Sequence, residues 1–202
     1  MTFRRRQWCL GAAAMAASGW CGGLGAASPR PSRNWLPQPL LPDVALLDHD
    51  GRRVNLQRDL IDGRTVVINF MFTGCQTVCP PQTALLRESL RRMHGRIPGR
   101  SNARDLLMVS ITVDPLGDGP AQLRAFGERY ALPLGPANGW VLLTGSPADV
   151  ARLLAAFDVP AGAPGDHPSL LWLGHAPSGR WTRSSSLNPP EALVSLLEEL
   201  RQ

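Results

Sequence analysis

Two long runs of apolar, often β-branched residues constrain the fold of this chain more than any other feature. They are TVVINFMF at residues 65–72 and LLMVSITV at residues 106–113, and neither alternates regularly with polar residues. A strand forms a continuous apolar run when both of its faces are buried, as in the sheets of α/β proteins. Residues 80–94 and 120–130, which follow the two runs, have the apolar spacing of helices, and an Asp-Gly pair at 50–51 predicts a preceding hairpin. The sequence therefore predicts an α/β domain with a central sheet.

The second half of the chain adds a third strand and a strand-turn-strand unit. WVLLTG at 140–145 predicts a strand, and residues 146–157 predict a helix with Ser146 as its N-cap. Residues 169–181 predict a strand, a turn and a second strand, and an N-capped terminal helix is expected over 188–202. Because a tight turn joins antiparallel strands, the predicted sheet is mixed.

The N-terminal residues carry the pattern of an export leader. Residues 1–27 combine a basic start, a short apolar stretch and small residues before a cleavage position, and RRRQWCL resembles a twin-arginine signal. A cleaved signal peptide, an N-terminal membrane anchor and a lipoprotein modified at Cys21 stay open. All three place the folded part in the periplasm or cell envelope, in an oxidising compartment. Pro-rich residues 28–39 predict a linker, and residues 40–202 the folded domain.

The charge of the chain gives little support for nucleic-acid binding. The sequence has 21 basic residues, all of them arginine, against 16 acidic residues, for a net charge of +5. Three of these arginines lie at residues 4–6 in the leader, and no basic stripe interleaved with aromatic residues follows. After the leader there is also no apolar run long enough to span a membrane. We therefore expect neither nucleic-acid binding nor an internal membrane span.

Cys75 and Cys79 are the two cysteines that remain after the leader. They lie between the first buried strand and the following helix, where open α/β sheets place their chemistry and where a helix N-terminus favours thiolate. A structural disulfide, a redox pair and two ligands of a soft metal all stay open. A disulfide across three residues would stabilise the fold little, whereas two thiolates at this spacing suit a metal.

A metal held by two thiolates needs a further ligand, and the chain offers four histidines. His94 lies at the end of the predicted helix, and His49 and His175 lie in predicted turns. His167 differs, because it follows a Gly- and Pro-rich loop and comes just before a predicted buried strand. A set of two cysteines and one histidine favours Cu(I) or Zn(II) over magnesium or calcium.

Three segments, NFMFTGCQTVCP, VSITVDP and GDHPSLLWL, together resemble the Sco (SenC) family over roughly residues 36–202. The resemblance implies a thioredoxin-like fold: a central mixed sheet flanked by helices, with an N-terminal hairpin extension. It also implies a copper ion, Cu(I) or Cu(II), bound by Cys75, Cys79 and His167. The implied role is delivery of copper to the binuclear copper centre of cytochrome c oxidase. The implied partner is the copper-bearing subunit of that oxidase or another copper chaperone.

Two acidic residues and two departures accompany the resemblance. Asp114, in TVDP, matches a recurring family aspartate and is interpreted as a structural residue or one that supports the ligands. Asp166 precedes His167 as in relatives and is expected to orient it or to help a partner dock. Residues 76–77 are Gln-Thr where many relatives carry Pro-Asp, and Pro168 stands where many carry Ser or Thr. A proline at 168 restricts His167 to extended geometry.

The same residues allow two functions. A copper chaperone needs only ligand exchange with a partner, so it is not an enzyme. A thiol-disulfide oxidoreductase would use Cys75 to attack a partner disulfide and Cys79 to resolve the product. A peroxidase of the peroxiredoxin type is disfavoured by the short spacing between the cysteines. We expect a monomeric copper chaperone, with the oxidoreductase as the alternative.

Overall fold

The computed structural model describes residues 34–96, 105–160 and 162–202, and the leader and Cys21 lie outside them. The strands are β1 (Leu46–Asp48), β2 (Arg53–Val54), β3 (Thr65–Met71), β4 (Leu106–Thr112), β5 (Trp140–Gly145), β6 (Leu170–His175) and β7 (Arg180–Ser185). The helices are α1 (Cys79–Arg96), α2 (Pro120–Arg129), α3 (Pro147–Ala156) and α4 (Pro190–Leu200). A π-helical turn spans Leu56–Ile61, and single 3-10 turns span Pro164–Asp166 and Ala176–Ser178.

Within the described residues, the seven strands form one sheet in the order β2-β1-β5-β4-β3-β6-β7. β3 pairs in parallel with β4, and β4 pairs in parallel with β5. β6 runs antiparallel to β3 and to β7, and β1 runs antiparallel to β5. These directions confirm the predicted mixed sheet.

Helices cover both faces of the central strands. Every residue of β3 and β4 is buried, as their continuous apolar sequences predict. Along β3 the side chains alternate between two cores, so that Ile68 packs on the face covered by α3 and Val67 on the opposite face, with α1, α2 and α4. This double burial fixes the carboxyl end of β3. The loop of residues 72–78, which contains Cys75 and is called the cysteine loop below, leaves the sheet there.

The helix ends show one confirmation and two corrections. Ser146 caps α3 as predicted, because its hydroxyl accepts the Asp149 amide at 3.1 Å. The helix predicted over residues 80–94 runs further than expected, through Gly95 to Arg96, although a glycine at that position is typical of a helix stop. Glycine at an exposed helical position costs only about 1 kcal/mol, which the packing of the earlier turns offsets.

The terminal helix α4 is not capped by a side chain, contrary to the prediction. Its N-cap position is Pro189, which makes no side-chain capping bond. The side chain of Asn188 instead donates to the Ser184 hydroxyl at 2.8 Å, at the end of β7. Pro190 supplies the first helical residue, where proline's fixed φ and missing N–H are tolerated.

Part of the segment predicted as a linker lies against the sheet. Leu36 exchanges two backbone hydrogen bonds with Trp181 of β7, at 2.7 and 3.2 Å. The predicted hairpin is present, with Gly51 at φ +77° in the turn between β1 and β2. None of the helices among the described residues combines the length and apolarity needed to cross a bilayer.

A close approach at Gly174 generates a stability prediction. Gly174 faces Trp181 across the β6–β7 pair, and a Cβ added at 174 would lie 2.5 Å from the fully buried Trp181 ring. We expect Gly174→Ala to lower the free energy of unfolding by about 1–3 kcal/mol, measured by urea denaturation, because the core there has no space for the methyl group. Gly165→Ala is the control, since nothing lies within 4 Å of that position. Equal stability of the two variants would contradict the prediction.

Candidate functional site

The two cysteines lie on either side of the step from loop to helix. Cys79 is the first residue of α1 and is fully buried, whereas Cys75 lies in the preceding loop and is partly exposed. The Cys75 amide donates to the Phe72 carbonyl at 3.2 Å, which turns the chain sharply just beyond β3. Both residues are free thiols.

A hydrogen bond from the Cys79 amide to the Cys75 sulfur, 3.3 Å long, brings the pair together. The first four amides of a helix have no partner inside the helix. In α1, Pro80 and Pro81 carry no amide hydrogen, and the Gln82 amide donates to Val78 at 3.0 Å. The Cys79 amide is therefore the one first-turn donor that needs another acceptor, and the sulfur of Cys75 supplies it.

The surroundings of the two thiols shift their pKa values in opposite directions. Burial raises the pKa of Cys75, but hydrogen bonds from Cys79 and then from Thr77 outweigh it and bring the pKa down to about 7. Burial also raises the pKa of Cys79, and its hydrogen bond to Cys75 adds to this, to about 12. At neutral pH, Cys75 is thus about half thiolate while Cys79 keeps its proton.

His167 lies at the base of the cysteine loop, against Phe72. The ring centroids of His167 and Phe72 are 6.4 Å apart in an edge-on arrangement, and Phe72 directly follows β3. His167 has φ −70° and ψ 145°, the extended geometry expected before Pro168. Its Nδ1 lies 3.3 Å from the Pro168 carbonyl, and burial lowers the pKa of the imidazole. The ring is therefore held in the neutral form that binds metals.

His167 also borders a cavity of about 170 Å³ that is lined mainly by apolar residues. Its walls come from the end of β4, the first turns of α3 and the loop before His167; they include Val113, Val150, Leu154 and Ala163. Among the residues described, no three Cys, His, Asp or Glu side chains are grouped so that they could hold a metal ion. The structure thus joins Cys75 to Cys79 and holds His167 on Phe72, with the three candidate ligands not gathered around one point.

The two candidate aspartates have different surroundings. The Asp114 carboxylate accepts the Gly117 amide at 3.1 Å, and its own amide donates to the Thr112 hydroxyl at 2.9 Å. Asp114 therefore shapes the turn that follows β4. Asp166 is exposed at the end of the 3-10 turn before His167, and the hydrogen-bonding partner of the imidazole is Pro168. A role for Asp166 in docking stays a prediction.

Sequence reasoning missed a third aspartate, Asp118, which lies behind the cysteine loop. It is 1% exposed, and its carboxylate accepts the amide and the hydroxyl of Thr73 and the hydroxyl of Thr112. Its position in the Gly-rich turn LGDG is typical of an exposed turn residue. The available signal was the threonine near the end of each neighbouring strand, because parallel strands end at the same edge of the sheet.

The pKa values generate a prediction for alkylation by iodoacetamide. Since the thiolate is the nucleophile, the rate at Cys75 should rise through pH 7, while Cys79 is labelled far more slowly in the native chain. Cys79→Ala removes the thiol that helps to lower the pKa of Cys75, so its rate profile should shift to higher pH. Val78→Ala is the control and should leave the profile in place. Labelling followed by mass spectrometry gives both rates, and an unmoved profile in Cys79→Ala would contradict the assignment.

Comparison with known proteins places the chain in a family. The sequence model of the SCO1/SenC family matches residues 36–174, which is more than half of the chain. The SCO1 protein homolog of Bacillus subtilis is 32% identical over 98 residues, which are 48% of this chain and 45% of that protein. The matches to three curated relatives span between 40% and 52% of the relatives' own length.

Solved structures agree over most of the chain. A SCO1/SenC family lipoprotein from Bacillus anthracis is 29% identical with a TM-score of 0.64, covering 84% of this chain and 96% of that one. ScoI of Bradyrhizobium japonicum, solved with copper bound, is 25% identical with a TM-score of 0.60, covering 77% and 96%. These likenesses confirm the predicted thioredoxin-like fold. The chain therefore belongs to the SCO1/SenC family.

Proposed function

We propose that this protein is a copper chaperone that binds one copper ion through Cys75, Cys79 and His167. The observation that carries the proposal is the hydrogen-bonded thiol pair at the start of α1, with thiolate available on Cys75 at neutral pH. The chain hands its ion to the copper-bearing subunit of cytochrome c oxidase or to another copper chaperone. The copper-bound ScoI relative supports the choice of metal.

The donor set fits a soft metal cargo. Two thiolates and a neutral imidazole match Cu(I) and, with one histidine, also tolerate Cu(II), whereas hard cations prefer oxygen ligands. Binding at both sulfurs requires Cys79 to lose its proton, because burial keeps the pKa of that thiol high. Copper uptake therefore releases a proton, and reprotonation of Cys79 favours handing the ion on.

His167 must approach the sulfurs to complete the set. It lies against Phe72, and the amide of Cys75 donates to the carbonyl of that same residue. The imidazole and the cysteine loop thus share one neighbour, Phe72. We infer that copper captures His167 after the two thiolates have bound it.

The difference between the low pKa of Cys75 and the high pKa of Cys79 favours a second candidate function, thiol-disulfide exchange. The Cys75 thiolate would attack a partner disulfide, forming a mixed disulfide and releasing one partner thiolate. Cys79, once deprotonated, would attack the Cys75 sulfur, closing the Cys75–Cys79 disulfide and releasing the second partner thiolate. The partner is reduced by two electrons and this chain is oxidised by two, without any need for His167.

Anaerobic titration of the reduced chain, residues 28–202, with Cu(I) against a competing chelator tests the chaperone proposal. We expect one copper per chain, and a Kd about tenfold or more weaker in His167→Ala, equivalent to at least roughly 1.4 kcal/mol of binding free energy. His94→Ala is the matched control, because His94 lies near the far end of α1 from the cysteines. It should bind copper as the parent chain does.

The other outcomes of this titration decide between the two functions. Copper affinity that is equal in His167→Ala and the parent chain would contradict the three-ligand site. Failure to compete with the chelator, combined with a Cys75–Cys79 disulfide that glutathione reduces readily, would favour the oxidoreductase. In that case His167→Ala should retain full activity with a disulfide substrate.

The proposal also places the protein in the periplasm or cell envelope. Its support is the basic and small-residue pattern of residues 1–27, with paired arginines at 5 and 6 before a tryptophan and a leucine. Cell fractionation should find the full chain in the envelope or periplasm, and Arg5→Lys with Arg6→Lys should retain it in the cytoplasm. Export of that variant would indicate the general route instead. A cytoplasmic parent chain would contradict the location.

A further inference from the structure

Asp118 is a buried ionisable residue to which the proposed chemistry assigns no role. It is 1% exposed, and both carboxylate oxygens accept hydrogen bonds. The Thr73 amide lies 3.2 and 3.0 Å from the two oxygens, and the Thr112 hydroxyl lies 2.6 Å from one of them. The Thr73 hydroxyl donates as well. A buried carboxylate is expensive unless it is satisfied in this way, so the three donors and the acid form one unit.

The partners of Asp118 come from two neighbouring strand ends. Thr112 is the last residue of β4 and faces Met71, the last residue of β3, in the parallel pair. The final backbone bond beyond this pair runs from the Val113 amide to the Met71 carbonyl at 2.9 Å. Thr73 lies two residues past β3 and two residues before Cys75. Asp118 thus continues the connection between the strands past the point where their backbone pairing stops.

This connection controls the start of the cysteine loop. The loop is held at its far end by α1, whose first residue is Cys79. Within the loop, the Cys75 amide donates to the Phe72 carbonyl, and the Cys75 sulfur accepts a hydrogen bond from the Cys79 amide. Cys75 also packs against the buried cluster that contains Cys79, and so covers it. If the Thr73 end moved, the sulfur of Cys75 would lose its hydrogen bond from that amide and Cys79 would become accessible.

We propose that Asp118 is the positioning residue of the cysteine pair, joining Thr73 to Thr112 so that Cys75 stays over the buried Cys79. The inference rests on the proposed function only in taking these two thiols as the reactive groups. Asp118 acts through the loop and needs no contact with the cargo or with a partner disulfide.

The test is the ratio of Cys79 to Cys75 alkylation by iodoacetamide in the reduced full chain, followed by mass spectrometry. Asp118→Ala removes all of the acceptor bonds, and we expect it to raise the ratio about tenfold, as loss of a charge-assisted hydrogen bond allows. Thr112→Val removes one donor without changing the loop sequence, and it should raise the ratio by a smaller factor. Asp118→Asn keeps the shape and one acceptor oxygen but removes a charge that helps to raise the pKa of Cys79, so it should restore the parent ratio only in part. Thr112→Val keeps that charge and therefore isolates the effect of the loop.

The control is Ser110→Ala, because Ser110 carries another buried hydroxyl on the same strand. That hydroxyl donates to Asn69 at 2.7 Å and accepts from Trp140 at 3.0 Å, away from the cysteine loop. Urea concentrations are chosen so that all variants have equal free energies of unfolding, and Ser110→Ala should then keep the parent ratio. An equal rise in Ser110→Ala, or an unchanged ratio in Asp118→Ala, would overturn the proposal. If Asp118→Ala does not fold, the ratio in Thr112→Val decides in its place.

This experiment separates the inference from the proposed function. The alkylation ratio measures how accessible Cys79 is beneath Cys75, and the measurement requires neither copper nor a partner protein. A chain that fails to bind copper but shows the expected ratios would refute the chaperone while leaving the role of Asp118 intact. Normal copper binding by the parent chain, together with an unchanged ratio in Asp118→Ala, would refute the role of Asp118 while leaving the chaperone proposal intact.

Discussion

The hydrogen bond from the Cys79 amide to the sulfur of Cys75 is the interaction on which the chemistry of this site depends. It exists because two prolines follow Cys79 and remove the competing donors of the first helical turn. The amide and the positive end of α1 both favour negative charge on Cys75, while burial holds the proton on Cys79. A copper site benefits from one sulfur that is already thiolate and one that loses its proton only when the metal binds. A redox pair needs the same difference in pKa between its two thiols. One hydrogen bond therefore supplies the difference in thiol pKa on which both proposed functions depend.

The central sheet makes that bond possible by fixing both ends of the loop. β3 is buried on two faces, and its position cannot shift without disturbing both cores. α1 packs on one of these cores through Leu86, Leu90 and Met93, so the start of the helix is set relative to the end of the strand. Asp118 adds a polar connection at the edge where the apolar packing ends. The loop is thus the exposed part of an otherwise rigid junction.

Patterns that depend on neighbours in the sequence were predictable, and those that depend on packing were not. The apolar runs of β3 and β4, the Ser146 cap and the cysteine position all follow from short stretches of sequence. The path of α1 through Gly95 depends on turns packed earlier in the same helix, which a glycine by itself does not indicate. In the sequence, Asp118 resembles an exposed turn residue. Its partners are 6 and 45 residues away and become its neighbours only when the ends of β3 and β4 come together in the fold. The hydrogen bonds of Asp118 to Thr73 and Thr112 could therefore not be predicted from the sequence.

The surroundings of His167 bear on its proposed role as the third copper ligand. Its present contacts are one edge-on ring contact with Phe72 and a hydrogen bond to Pro168 of 3.3 Å, which is near the long limit for such a bond. In the proposed copper site, a metal that imidazole binds well would replace these contacts. Pro168 keeps the backbone of His167 extended, so little main-chain freedom remains to be lost when the ring binds. The histidine is therefore kept neutral beside Phe72 at the start of the loop, which supports the proposed capture of a copper ion by His167 after the two sulfurs.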